Sequence, residues 1–196
     1  MFWFIVFLCV ALVIGVNLFF SFSWQTLIEL AYCFACIFVP SALWAVIIRI
    51  LPKKWFTPNN KLFHVFKFEN KLYEKVGVKN WKDKIPELGK TSNFKRDKLY
   101  DSRNPEYMSK YINESCYAES IHVVAVLLAF LSFILMPDDL ILRIGLPTAI
   151  CYLILSMPSI IIQRYMRPRL LKMYKRLKTQ IDTVNKIEEQ ETVQQN

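Results

Sequence analysis

Hydrophobic residues in this chain come in four long runs, Phe2 to Phe22, Leu27 to Ile48, Ile121 to Met136 and Ile144 to Ile162, with polar residues between them. Three of the runs approach or reach the ~20 residues that cross a ~30 Å hydrocarbon layer. The third is short. It becomes long enough when its helix begins near Tyr111 and carries polar first turns up to the interface, with Tyr107 and Tyr111 as aromatic anchors. The pattern predicts an all-α integral membrane protein: four transmembrane helices in two hairpins plus amphipathic cytoplasmic helices. We expect spans at about 2–22, 27–48, 119–136 and 144–162, a cytoplasmic loop over 52–117, a single membrane domain over 1–187 and a disordered tail over 188–196.

The segments between the spans carry their own periodicity. Lys61 to Val76 places Leu62, Val65, Phe66, Phe68 or Glu69, Leu72, Tyr73 and Val76 at helical spacing, with Lys67, Lys71 and Lys75 on another face. This predicts one amphipathic helix on the inner leaflet, ended by Gly77. Pro86 and Gly89 then predict a shaped loop. Asn104 and Pro105 stand as cap and first residue of the next helix. Arg169 to Ile187 is again helical in its spacing, with a basic face.

Composition agrees with this reading. The chain is 54% hydrophobic with only 4 Gly, and its mean hydropathy of +0.26 is too high for an ordinary soluble domain. Charge then sets the orientation. The short connections Ser21 to Thr26 and Pro137 to Leu140 contain no Lys or Arg, whereas Pro52 to Tyr117 holds 15 Lys/Arg against 8 Asp/Glu, and Gln163 to Asn196 holds 8 against 4. The positive-inside rule puts both basic segments and both termini in the cytoplasm. The membrane face accounts for the formal charge of +9, so nucleic acid is not an expected partner. The first run lacks a basic flank and exceeds a usual signal-peptide core, so it reads as a retained span. Cys9, Cys33, Cys36 and Cys151 fall inside spans and Cys116 at a membrane border; no disulfide framework follows, and Cys33-x-x-Cys36 reads as small residues packing between helices.

Two histidines, His64 and His122, are too few for a histidine-rich iron site. Glu119-x-x-His122 is half of a carboxylate-bridged metal pattern with no second copy, and His64, Glu69 and Glu74 are a sparse alternative, so no metal is expected. On a helix, Glu119 lies about 60° and Glu114 about 80° from His122, which puts all three on one face where a basic loop enters the hydrocarbon. In this arrangement His122 is the candidate general base for a hydroxyl, Glu119 its orienting carboxylate and Glu114 an auxiliary polar group. A second cluster, Gln163, Arg164, Tyr165, Arg167 and Arg169, ends the fourth span, and its three guanidiniums suit phosphate.

Three blocks carry a family resemblance: Trp81-Lys82-x-Lys84, Glu114-x-x-x-Ala118-Glu119-x-Ile121-His122, and Pro158-x-Ile160-Ile161-x-Gln163-Arg164-Tyr165-x-Arg167-Pro168-Arg169-Leu170. They occur in family order over roughly Phe66 to Lys178, and the chain resembles the small bacterial membrane acyltransferases named for glycosyl-4,4'-diaponeurosporenoate, which finish the carotenoid staphyloxanthin. The resemblance implies transfer of a fatty acyl chain to a sugar hydroxyl of a glycosylated carotenoid acid in the bacterial plasma membrane. It implies membrane lipid, that glycolipid acceptor and an acyl-CoA or acyl carrier protein donor as partners, with no bound cofactor. Arg164, Arg167 and Arg169 then become a clamp for the donor's phosphates beside Gln163 and Tyr165, while Trp81 and Lys82 shape the mouth. The rival expectation is a non-catalytic membrane protein that binds lipid or scaffolds a complex.

Overall fold

The computed structural model describes residues 2–85 and 103–194. Four of its helices are long and apolar enough to cross a membrane: α1 (Trp3–Phe20), α2 (Trp24–Ile47), the helix that begins at Pro105 and the one that continues beyond Asp138. Among the described residues there is no strand. The chain is an all-α membrane protein, and large side chains such as Phe7, Phe19, Ile28, Val46, Leu127 and Ile154 point outward from the spans, where hydrocarbon takes the place of water.

Two short helices follow the second span, α3 (Lys67–Lys75) and α4 (Val78–Trp81); α5 (Pro105–Leu131) and α6 (Leu146–Gln194) complete the set. The α5–α6 pair is the most extensive packing in the molecule, with α2 against α5 next. Backbones approach closely because the contacts are small. On α2, Cys33 and Ser41 are buried facing Ala125 and Ala129 of α5, and the Ser41 hydroxyl donates to the Ile37 carbonyl at 2.8 Å. Cys33 belongs to the apolar core of this half, with Val13, Leu30, Ile37, Met136 and Ile144.

The helix that carries the third span starts at the Asn104–Pro105 cap the sequence marks, six residues before Tyr111. Asn104 caps α5 by accepting from the backbone N–H groups of Glu106 and Tyr107, and Pro105 occupies the first turn. Polar turns from Pro105 to Glu119 thus precede the apolar stretch. The fourth span is not followed by a separate tail helix: α6 runs for 49 residues, about 73 Å, so more than half of it projects past a ~30 Å apolar layer.

The expected single helix over Lys61 to Val76 is split. A short 3₁₀ turn, Lys61–Phe63, is followed by extended backbone at His64 and Phe66 before α3 begins. In one continuous helix the Phe63 and His64 carbonyls would accept from Lys67 and Phe68. Arginines of α6 take them instead, Arg167 Nη1 donating to Phe63 O at 3.0 Å and Arg164 Nη2 to His64 O at 2.9 Å. Glu69 then closes the new N-terminus by accepting from the Phe66 N–H at 3.2 Å. Gly77 ends α3 in the left-handed region at φ 68°, as its position in the sequence predicts. The loop expected around Pro86 and Gly89 lies outside the described residues.

Candidate functional site

Three apolar clusters surround the basic end of the α5–α6 pair. Phe56 and Phe63 pack on Cys116 and Tyr117 of α5; Tyr73 and Val78 pack on Ile162 and Tyr165 of α6; Met108 and Ile112 pack on Leu170. These contacts fold the polar segment after α2 back against the ends of two spans, and a buried group of charges lies between them.

Arg164 is its hub. Its Nε and Nη2 donate to the two oxygens of Glu69 at 2.7 and 2.8 Å, a bidentate pair, and its Nη1 donates to Glu119 Oε1 at 2.6 Å. Glu69 also accepts from the Tyr73 hydroxyl at 2.9 Å. The Arg164 hydrogen bonds hold the Glu69 carboxyl down at a pKa of about 2, while burial and the bond to Glu69 push Tyr73 up to about 12. Arg167 is 1% exposed. Its Nε donates to Ser115 Oγ and its Nη2 to the Ser115 carbonyl, both at 3.0 Å, and Glu119 Oε2 lies 2.6 Å from Nη2 in an ion pair without a well-directed hydrogen bond. Two guanidiniums therefore face two carboxylates, and the network is neutral as built.

The residues singled out from sequence are distributed around this network. Glu119, expected to orient His122, has both oxygens against guanidiniums. His122 lies almost one turn further along α5, half-buried. Glu114 lies within about 80° of His122 around the helix but stands eight residues away, about 12 Å along the axis, and pairs with Arg49 at 2.9 Å. Angular position brings residues onto one face; axial rise separates them. Of the three arginines expected to clamp phosphate, Arg164 and Arg167 spend their donors inside the fold. Arg169 stacks 3.7 Å over the Tyr165 ring, donates to the Tyr165 carbonyl and pairs with Glu74 at 3.2 Å. Tyr165 is buried and Gln163 half-buried. Trp81 packs against the Tyr73–Tyr165 cluster with its Nε1 donating to Val76 O, and Lys82 pairs with Asp83 at 2.6 Å.

Glu69 is the member that the motif reading missed as a partner of Arg164, although the sequence carries a signal. It sits on the apolar stripe of its helix, four residues before Tyr73, and an acid on a buried stripe requires a cation from elsewhere. Ser115 and the Phe63 and His64 carbonyls carry no such signal, because their roles arise from tertiary contact.

Beside the network lies a cleft of about 440 Å³, lined by Pro58, Phe63, His64 and Val65 on one side and by Arg167, Pro168, Leu171, Lys172, Lys175 and Arg176 on the other. Its His64 side chain is exposed and sits edge-on to Phe66. Chemically, the arrangement offers a hydrogen-bonded floor with matched charges, an imidazole at the rim and a second imidazole toward the apolar layer.

The family model described as glycosyl-4,4'-diaponeurosporenoate acyltransferase matches residues 52–176. No curated protein and no solved structure matches the chain. The matched stretch is more than half of the chain and contains every residue of the charged network and all ten residues lining the cleft. On that match, this four-span membrane protein belongs to the glycosyl-4,4'-diaponeurosporenoate acyltransferase family.

Proposed function

We propose that this acyltransferase moves a fatty acyl chain from an activated thioester donor to a sugar hydroxyl of a glycosylated carotenoid acid, at the cytoplasmic face of the bacterial plasma membrane. The observation that carries the reading is convergence. Segments far apart within the family-matched stretch meet in one buried network at the ends of two spans, beside an open cleft. A lipid-borne sugar approaches such a place from the bilayer, and an anionic donor approaches it from water.

In this reaction the hydroxyl oxygen attacks the thioester carbonyl, His122 accepts the hydroxyl proton, the C–S bond breaks, and the departing thiolate takes the proton from the imidazolium. Glu119, clamped by Arg164 and Arg167, fixes the α5 turn that carries His122. The arginine network thereby positions; it does not contact the reacting atoms. His64 is a second candidate for the base, favoured by its place in the cleft.

The test is mass spectrometry of lipids from membranes supplied with a glycosylated carotenoid acid and labelled acyl-CoA. Wild type is expected to make a labelled ester that His122→Ala does not. Ester loss confined to His64→Ala transfers the proton-accepting role to that ring. No ester from folded wild type with intact donor overturns the reading and leaves a lipid-binding or scaffolding protein.

A further inference from the structure

We propose that the cleft between residues 58–65 and α6 binds the phosphate-bearing head of the thioester donor, with Lys172, Lys175 and Arg176 as its phosphate contacts. The inference rests on the acyltransferase reading above. It assigns the donor to a place other than the three-arginine cluster, whose guanidiniums are already engaged.

Pro168, Leu171, Lys172, Lys175 and Arg176 follow the spacing i, i+3, i+4, i+7, i+8, so they form one stripe of α6, and all of them line the cleft. The stripe is graded. Its first two members are apolar and its last three are cationic, over a rise of about 12 Å. Facing it, Phe63 and Val65 supply further apolar surface. A molecule with an apolar arm and an anionic head matches this grading when the arm points toward the spans.

The charges are available. Arg164, Arg167 and Arg169 each have a carboxylate partner, whereas among the described residues Lys172, Lys175 and Arg176 have none and are exposed. Arg167 lines the same cleft but is held by Ser115, Phe63 O and Glu119, so it braces the wall. Within the cleft lining the free cations are thus gathered on one rim, next to a wall that the neutral network keeps in place.

Distance separates a soluble donor from a lipid headgroup. The apolar run ends at Ile162. Lys172 lies ten residues further and Arg176 fourteen, about 15 and 21 Å along the helix, and a usual tilt of ~20° shortens these by less than a tenth. The headgroup layer on one side of a bilayer is only about 5–8 Å deep. The cationic rim therefore stands in water beyond the lipid phosphates, within reach of a nucleotide or phosphopantetheine head.

Binding is measured without turnover. The protein is placed in zwitterionic nanodiscs, titrated calorimetrically with CoA and, separately, with phosphopantetheine, and compared with Lys172→Glu/Lys175→Glu/Arg176→Glu and with the milder triple Gln variant, each checked for an unchanged thermal midpoint. Wild type is expected to bind at least one probe, and the Glu variant to bind on the order of tenfold or more weaker, with the Gln variant between. Equal affinity in all three proteins, or no binding of either probe by wild type, overturns the assignment. So does displacement of the probe by anionic lipid added to the nanodisc, which gives the cleft to a headgroup. Probe binding that needs the three cations, in a protein that esterifies nothing, keeps the cleft and sinks the reaction; ester formation with an unaltered donor KM in the Glu variant does the reverse.

Discussion

Arg167 is where a single side chain decides most. It is buried, its donors reach Ser115 and Phe63, and it faces Glu119. Removing it leaves Glu119 with Arg164 alone and takes the donor from three acceptors, Ser115 Oγ and the Ser115 and Phe63 carbonyls, a loss of about 3–5 kcal/mol for one partner of a buried pair. Arg167→Ala is expected to lower the unfolding midpoint in detergent sharply. Arg167→Lys is expected to recover little, because one ammonium cannot span the same fork. A Lys variant as stable as wild type would show that charge, and not geometry, is what the site needs. Glu69 offers a second residue-scale test. Its folded pKa, about 2, is below its ordinary value of 4.5, chiefly because Arg164 donates to it. A depressed acid contributes stability that is present above the unfolded value and lost as pH falls through the folded one. The midpoint should therefore decline between about pH 4.5 and 2, and Glu69→Gln should flatten that part of the profile; an unchanged slope would mean that other carboxylates govern acid unfolding.

Elements were legible where local chemistry decides them and illegible where a distant group overrules it. The Asn104–Pro105 start of α5 is written in its own residues, and so is the stop at Gly77. The break inside Lys61 to Val76 is not, since its cause is two guanidiniums a hundred residues away that capture the Phe63 and His64 carbonyls. Periodicity alone sees an unbroken amphipathic stripe. The continuity of α6 has a related cause: Pro158 and Pro168 lie inside it and each removes one ladder bond, yet with packing on α5 the helix continues through both. At Gly77 the prediction is local. The nearest atom to an added Cβ is Asn80 Nδ2 at 3.5 Å, an ordinary contact, so the cost of Gly77→Ala comes from φ. It should be about 1 kcal/mol, with Gly77→Asn costing less, both read as shifts in thermal midpoint.

At the scale of the molecule, the site was legible as a set of residue types but not as a set of pairings. Glu119, read as the partner of His122, and Arg164 and Arg167, read as a separate phosphate clamp, converge onto one another, because carboxylates and guanidiniums at the end of a low-dielectric layer neutralise each other before they serve a ligand. The same economy bears on orientation. At the end of the bundle away from the network, Arg143 pairs with Glu29, and Asp138 and Asp139 add negative charge, while the other end carries the lysine-rich segment and the basic extension of α6. The retention of unpaired cations on one side is what the positive-inside rule reads, so residues 52–85 and the α6 extension are expected in the cytoplasm. On a cysteine-free background, Asp139→Cys should react with a membrane-impermeant maleimide on intact cells. Asn59→Cys and Lys186→Cys should react only after permeabilisation. Labelling of the latter two on intact cells would invert the molecule, and it would also move the proposed donor cleft to a compartment without cytosolic thioesters.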